Sequence, residues 1–183
     1  MKFTTGKVRL SYVHVFEAKP DLQGRPKYSA ALLIDKKDSK TLNRLKTAFK
    51  QILDDPETKA KMGGKMQGLD LPLRDGDEKP DMAGYPGCFY LNAKASEDHP
   101  PLVVDRDRND IVDPAEIYSG CYAQAVISLY PYNFNGRKGI GVGLSAIRKL
   151  ADGAPLGGSR VTADDFSDDL LGDGVDDGVN DLL

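Results

Sequence analysis

The sequence predicts a mainly β fold: an antiparallel β-barrel with one inserted helix, followed by a disordered acidic C-terminal tail. Three observations predict it. Short apolar or alternating stretches recur along the first 150 positions, a single segment has helical spacing, and charge is divided sharply between body and end. At 183 residues, 40% of them hydrophobic, the chain can bury one core, and a second catalytic domain is not expected.

Residues 7 to 16 alternate so that Val8, Leu10, Tyr12, His14 and Phe16 share one side of a first strand. A turn rich in Pro and Gly comes next, and Tyr28 to Ile34 makes a second, more buried strand, so the pair reads as a hairpin. Asp38 or Ser39 can cap a helix in which Leu42, Leu45, Ala48, Phe49, Ile52 and Leu53 recur at three- and four-residue spacing. That helix ends before Pro56, and its Lys40, Arg44, Lys46 and Lys50 face water. Residues 54 to 87 carry so many Gly and Pro that no regular element is expected there, and so long a connection in a small domain is functional or mobile.

Four further β stretches run from Cys88 to Ala95, Leu102 to Asp105, Tyr118 to Tyr130 and Arg137 to Lys149. The last two form a hairpin through Asn133, Phe134, Asn135 and Gly136, because an Asn-Gly pair suits turns that need positive φ. Gly139, Gly141 and Gly143 leave one strand face bare, for close packing at a barrel bend or for approach by a ligand, with the bend favoured. Five or six strands and one helix make the inventory of an oligonucleotide/oligosaccharide-binding (OB) barrel. An α+β sandwich would give the same local pattern.

The net charge of −3 conceals an asymmetry. Residues 161–183 hold eight Asp and no Lys or Arg, which leaves residues 1–160 with 25 basic and 20 acidic side chains. The expected division is therefore a basic domain over 1–160 and an acidic tail over 161–183, whose like charges and sparse apolar residues argue against folding. Such a tail can solubilise, and it can also compete for a polyanion-binding surface.

Catalysis finds little support. The two histidines are far apart, His14 reading as a core or strand-edge residue and His99 as a loop residue. No P-loop motif occurs, and the Gly139–Gly143 run opens no helix. The acidic run Asp105 to Asp110 alternates with arginines and reads as a turn, and the tail lacks calcium-loop spacing, so neither a metal nor a cofactor is expected. Cys88 and Cys121 stand in apolar runs with no partner motif and read as free, buried thiols. No signal peptide or membrane-spanning run is present, so a cytoplasmic protein without membrane association is expected.

Single strands of nucleic acid are held by cations along the phosphates and aromatic faces under the bases, and both are interleaved here. Tyr130, Tyr132 and Phe134 recur at period two beside Arg137 and Lys138; Tyr130 belongs either to this row or to the core. A second group comprises Arg74, Tyr85, Lys94 and one of Phe89 and Tyr90, with Tyr90 taken as the outward ring. Arg9 and Tyr12, with Lys7 and Lys27, are weaker candidates on the first hairpin, where lysines also guard an edge.

Several stretches together resemble a known family. Thr5 to Tyr12, Tyr28 to Ile34, Pro72 to Asp77, Tyr118 to Tyr122, Tyr130 to Gly139 and Asp152 to Gly158, plus the acidic tail, are similar to phage single-stranded-DNA-binding proteins once classed as a domain of unknown function, and distantly to the T7-type protein. The resemblance implies an OB fold, sequence-tolerant binding of single-stranded DNA, and action in phage replication, recombination or repair in an infected bacterium. It also implies a tail that recruits phage or host replication and recombination proteins. Asp176, Asp177 and Asp181 would mimic phosphate there, with Leu182 and Leu183 as apolar anchor. A non-enzymatic phage assembly or interaction protein is the second reading and a metal-dependent nuclease the third; association with further copies of the chain stays open.

Overall fold

A computed structural model describes residues 1–64 and 67–157. The tail expected over 161–183, including Asp176, Asp177, Asp181, Leu182 and Leu183, lies outside the described residues, as does the boundary at residue 160. The strands are β1 (Lys2–Pro20), β2 (Pro26–Asp35), β3 (Arg74–Asp75), β4 (Cys88–Ser96), β5 (Leu102–Val104), β6 (Tyr122–Phe134) and β7 (Arg137–Ala151), and the helices are α1 (Ser39–Asp54) and α2 (Pro56–Lys61).

The ring runs β4-β2-β1-β6-β7 through antiparallel pairs and closes by a parallel pairing of β4 with β7, where Lys94 faces Gly143. This is the expected mainly β barrel, closed by five strands. β3 adds to β4, and β5 adds to β7. The long β1 serves two neighbours: its Lys2–Arg9 half pairs with β6, and the stretch from Arg9 to Pro20 pairs with β2.

The change of partner disturbs the alternation read along the first strand. Val8 and Leu10 point into the core as expected, but the register shifts between Ser11 and His14 and Tyr12 takes a φ of 48°. The bulge re-aims the side chains beyond it, so past Ser11 the next buried residue is Val15, and His14 is exposed on the stretch of β1 that pairs with β2 alone, which is the strand edge and not the core. Positive φ is uncommon for a bulky residue, and the bulge that imposes it leaves Tyr12 outside the wall.

α1 begins as expected at Asp38, whose carboxylate accepts from the Thr41 amide at 3.0 Å. Leu42, Leu45, Ala48, Phe49 and Ile52 face inward and join Leu10, Leu32, Leu91, Ile127 and Leu129 in one continuous core. Residues 54 to 87 are more ordered than their composition suggests. Asp55 caps α2 by accepting from the Thr58 amide at 2.9 Å, and Pro56 takes the first helical position, where its missing N–H costs nothing. The β6–β7 hairpin forms as expected, with Asn135 and Gly136 both at positive φ. Cys121 is buried and Cys88 half-buried, both as free thiols.

A second, smaller cluster lies outside the barrel wall. Ala31, Leu33 and Tyr90 are covered by the loop 76–87 through Tyr85, with Met82 and Leu156 packed alongside. The loop is pinned by the Asp77 carboxylate, which accepts from the Gly87 amide at 2.7 Å, and by Lys36, which bridges Asp75 and Asp77. Hydrogen bonds to Gly87 and Lys36 hold the Asp77 carboxyl below its ordinary pKa, as that role requires. Leu32→Ala and Tyr90→Ala should each lower unfolding free energy by roughly 2–5 kcal/mol in urea titrations, because one empties the barrel core and the other the outer cluster.

Candidate nucleic-acid interface

Strand register lines up one row of outward residues around the barrel wall. On β2 the residues between the inward Ala30, Leu32 and Ile34 point out, placing Lys27 and Ser29 beside Ser96 and Lys94 of β4. Lys94 is also the partner of Gly143 on β7, and Gly143 in turn faces Ser128 on β6. One row of pairings therefore crosses from His14 on β1 through Ser29, Lys94 and Gly143 to Ser128. At about 4.8 Å per strand this line is roughly 19 Å along the wall.

Aromatic rings stand at both ends of that line. Tyr12 projects from the β1 bulge and is 60% exposed. At the far side Tyr130, 49% exposed, pairs with Gly141 and lays its ring over that glycine; an added Cβ would meet ring carbon Cε2 at 2.5 Å. The open choice between core and surface for Tyr130 is thus resolved to the surface. The bare backbone at Gly141 and Gly143 is used for close approach, by the Tyr130 ring and by the Ser128 hydroxyl. Phe134 sits at the hairpin tip, 72% exposed, next to the exposed Arg137.

Tyr132 continues the aromatic row but is half-buried and committed. Its hydroxyl donates to the Asp70 carboxylate at 2.9 Å, and burial followed by that carboxylate pushes the phenol above its ordinary pKa, keeping the proton in place. Arg74 forms an ion pair with the same carboxylate. The backbone of Asp70 is stitched to β7, donating to Lys138 O at 2.8 Å and accepting from the Ile140 amide at 3.1 Å. Gly139 makes this possible, since any Cβ there would collide with the Asp70 carbonyl. Sequence reasoning misses Asp70; only the bridge between distant segments reveals it.

Lys138 and Arg9 have structural partners. The Lys138 ammonium donates to Met62 O at 2.5 Å, satisfying a carbonyl at the end of α2. Lys61 to Pro131 O at 2.9 Å and Asn133 to Lys61 O at 2.8 Å complete a clasp between α2 and the aromatic hairpin. Arg9 donates to Gly120 O at 3.1 Å and Ala154 O at 2.5 Å, strapping residues 152–156 to the barrel. Its guanidinium also lies over the Tyr122 ring.

Tyr85 and Tyr90, both binding candidates on sequence grounds, are 3% and 7% exposed and meet edge to face with centroids 5.0 Å apart. Tyr90 does point outward from β4, as alternation requires, but the 76–87 loop covers it. Neither ring offers an open face to a base. Tyr85 instead forms the floor of a cleft of about 250 Å³ whose rim includes Tyr12, Met82, Ser119 and Leu156. Lys94 is exposed, with no ion pair found among the described residues.

Residues 1–178 match the family model described as the single-stranded-DNA-binding protein of Enterobacter phage Enc34. Protein p50 of Acyrthosiphon pisum secondary endosymbiont phage 1 is 32% identical over 186 aligned positions, covering 93% of this chain and 94% of that protein. Among solved structures, the Enc34 protein in complex with single-stranded DNA is 27% identical with a TM-score of 0.64, covering 85% of this chain and 89% of that one. Gp2.5 of bacteriophage T7, a single-stranded-DNA-binding protein, shares the fold at 19% identity with a TM-score of 0.61, over 97% of this chain and 99% of that chain. With a closed five-stranded barrel and a family model spanning almost its whole length, the chain belongs to the family of the Enc34 phage single-stranded-DNA-binding protein.

Proposed function

We propose that this protein binds single-stranded DNA without sequence preference, and that it acts by binding, not catalysis. The observation that carries the reading is a row of outward residues around the barrel wall, in which the exposed Lys94 stands opposite the glycine floor of β7, with the exposed rings of Tyr12 and Tyr130 two residues from its ends. Every base has a π face and every nucleotide a phosphate, so rings and cations spaced along a wall hold a strand whatever its sequence. Phe134 and Arg137 extend the row at the hairpin tip, while Tyr132 and Arg74 line it through Asp70. The single-stranded DNA bound by the Enc34 relative supports the same ligand for this chain.

The setting proposed is phage DNA replication, recombination and repair in the cytoplasm of the infected cell. The acidic residues 161–183 are proposed to compete with DNA for the basic face and to recruit phage or host replication proteins, Leu182 and Leu183 serving as anchor.

Gel shifts with oligo-dT at two salt concentrations test the binding, which should weaken steeply as salt rises. Absence of a shift at low salt, with and without the tail, would sink the proposal. Tyr130→Ala and Phe134→Ala should each cost about 1–3 kcal/mol of oligo-dT affinity, since both rings are exposed, while the thermal midpoint stays close to that of the parent. Deletion of residues 161–183 should tighten oligo-dT binding; equal affinity with and without the tail would refute competition.

A further inference from the structure

We infer that Asp70 is a built-in counter-ion of the DNA-binding face: it holds Arg74 and Tyr132 in position in the free protein and yields Arg74 to a backbone phosphate when the strand binds. This rests on the single-stranded-DNA reading above. Side-chain and main-chain bonds converge on this one residue. Its carboxylate accepts from Tyr132 at 2.9 Å and pairs with Arg74, and its backbone is bonded on both sides to β7 at Lys138 and Ile140. Asp70 is therefore fixed by its main chain, not by its charge, and stays in place when Arg74 leaves.

Arg74 itself is free to change partners. It sits on the two-residue strand β3, paired with Tyr90 of β4, and both its side chain and that of Asp70 are about half exposed. Ion pairs in that setting are weak, and a guanidinium forks onto phosphate as readily as onto carboxylate. Tyr132 has no such alternative: its partly buried phenol keeps its proton, and the Asp70 bond fixes the ring edge beside Gly139. A carboxylate in a DNA-binding face is otherwise a liability, repelling phosphate. Here it prevents Arg74 from wandering and keeps the ring row aligned, as a positioning residue that contacts DNA only through others.

Exchange of one anion for another leaves a signature in salt dependence. When phosphate displaces Asp70, the counterion released from DNA is offset by a cation taken up at the bared carboxylate, so Arg74 adds almost nothing to the slope of log affinity against log salt. Asp70→Asn removes the uptake while its side-chain oxygen still accepts from Tyr132, and Arg74 then counts in full. Full-length D70N should bind oligo-dT more tightly at low salt, with a slope steeper by about 0.7, a further loss of roughly 2.5-fold between 50 and 200 mM salt. Adding Arg74→Gln should abolish that increment in D70N yet barely change the slope of the parent. A parental slope in D70N, or an increment that survives in D70N/R74Q, would overturn the counter-ion role. Failure of the parent to bind oligo-dT at all would instead overturn the binding reading itself.

Discussion

Close approach over the bare backbone of β7 is the constraint on which the whole face depends. Gly139 admits the Asp70 carbonyl, Gly141 admits the ring of Tyr130, and Gly143 admits the Ser128 hydroxyl. A side chain at any of the three would push away the group that now lies on it. The same residue, Gly143, stands opposite Lys94 where the barrel closes. Closure and the candidate interface therefore meet on one strand. A glycine strand is weak by itself, because it has nothing to pack, and here neighbouring side chains supply the missing cover.

Order around that strand comes from polar bonds as well as from apolar burial. The long connection after α1 is tied back at two places: Lys61, Met62 and Asn133 clasp α2 to the aromatic hairpin, and Asp70 bonds to both sides of Gly139. The 76–87 loop is held by Asp77 and Lys36 over Tyr90. These bonds convert a segment rich in Gly and Pro into the border of the face. They also explain why several residues with binding chemistry are otherwise engaged: Lys138 and Arg9 serve carbonyls, and Tyr85 and Tyr90 serve each other.

Tyr12 shows how the barrel shapes its own surface. β1 must pair with β6 on its first half and β2 on its second, and the strand absorbs the change in a bulge. The bulge costs backbone strain at a φ of 48° and reverses the inside-outside alternation. An aromatic residue that periodicity assigns to the core is thereby presented to solvent beside the cleft floored by Tyr85.

All the strands but β3, the capped helix α1, the β6–β7 hairpin and its Asn-Gly turn were legible in the sequence, because each depends on local periodicity, capping or positive φ that a few adjacent residues encode. So was the division of charge between residues 1–160 and 161–183, which is a matter of counting. Phe134, Arg137 and Lys94 stood out as exposed chemistry for the same local reasons, whereas the choice between core and surface for Tyr130 waited for the fold. It took the folded chain to join Tyr132 to Arg74 through Asp70, to bury Tyr85 and Tyr90 under the 76–87 loop, and to turn Tyr12 outward. Each of these rests on segments brought together by strand register and barrel closure, and nothing in a single strand's pattern encodes which distant segment will cover it.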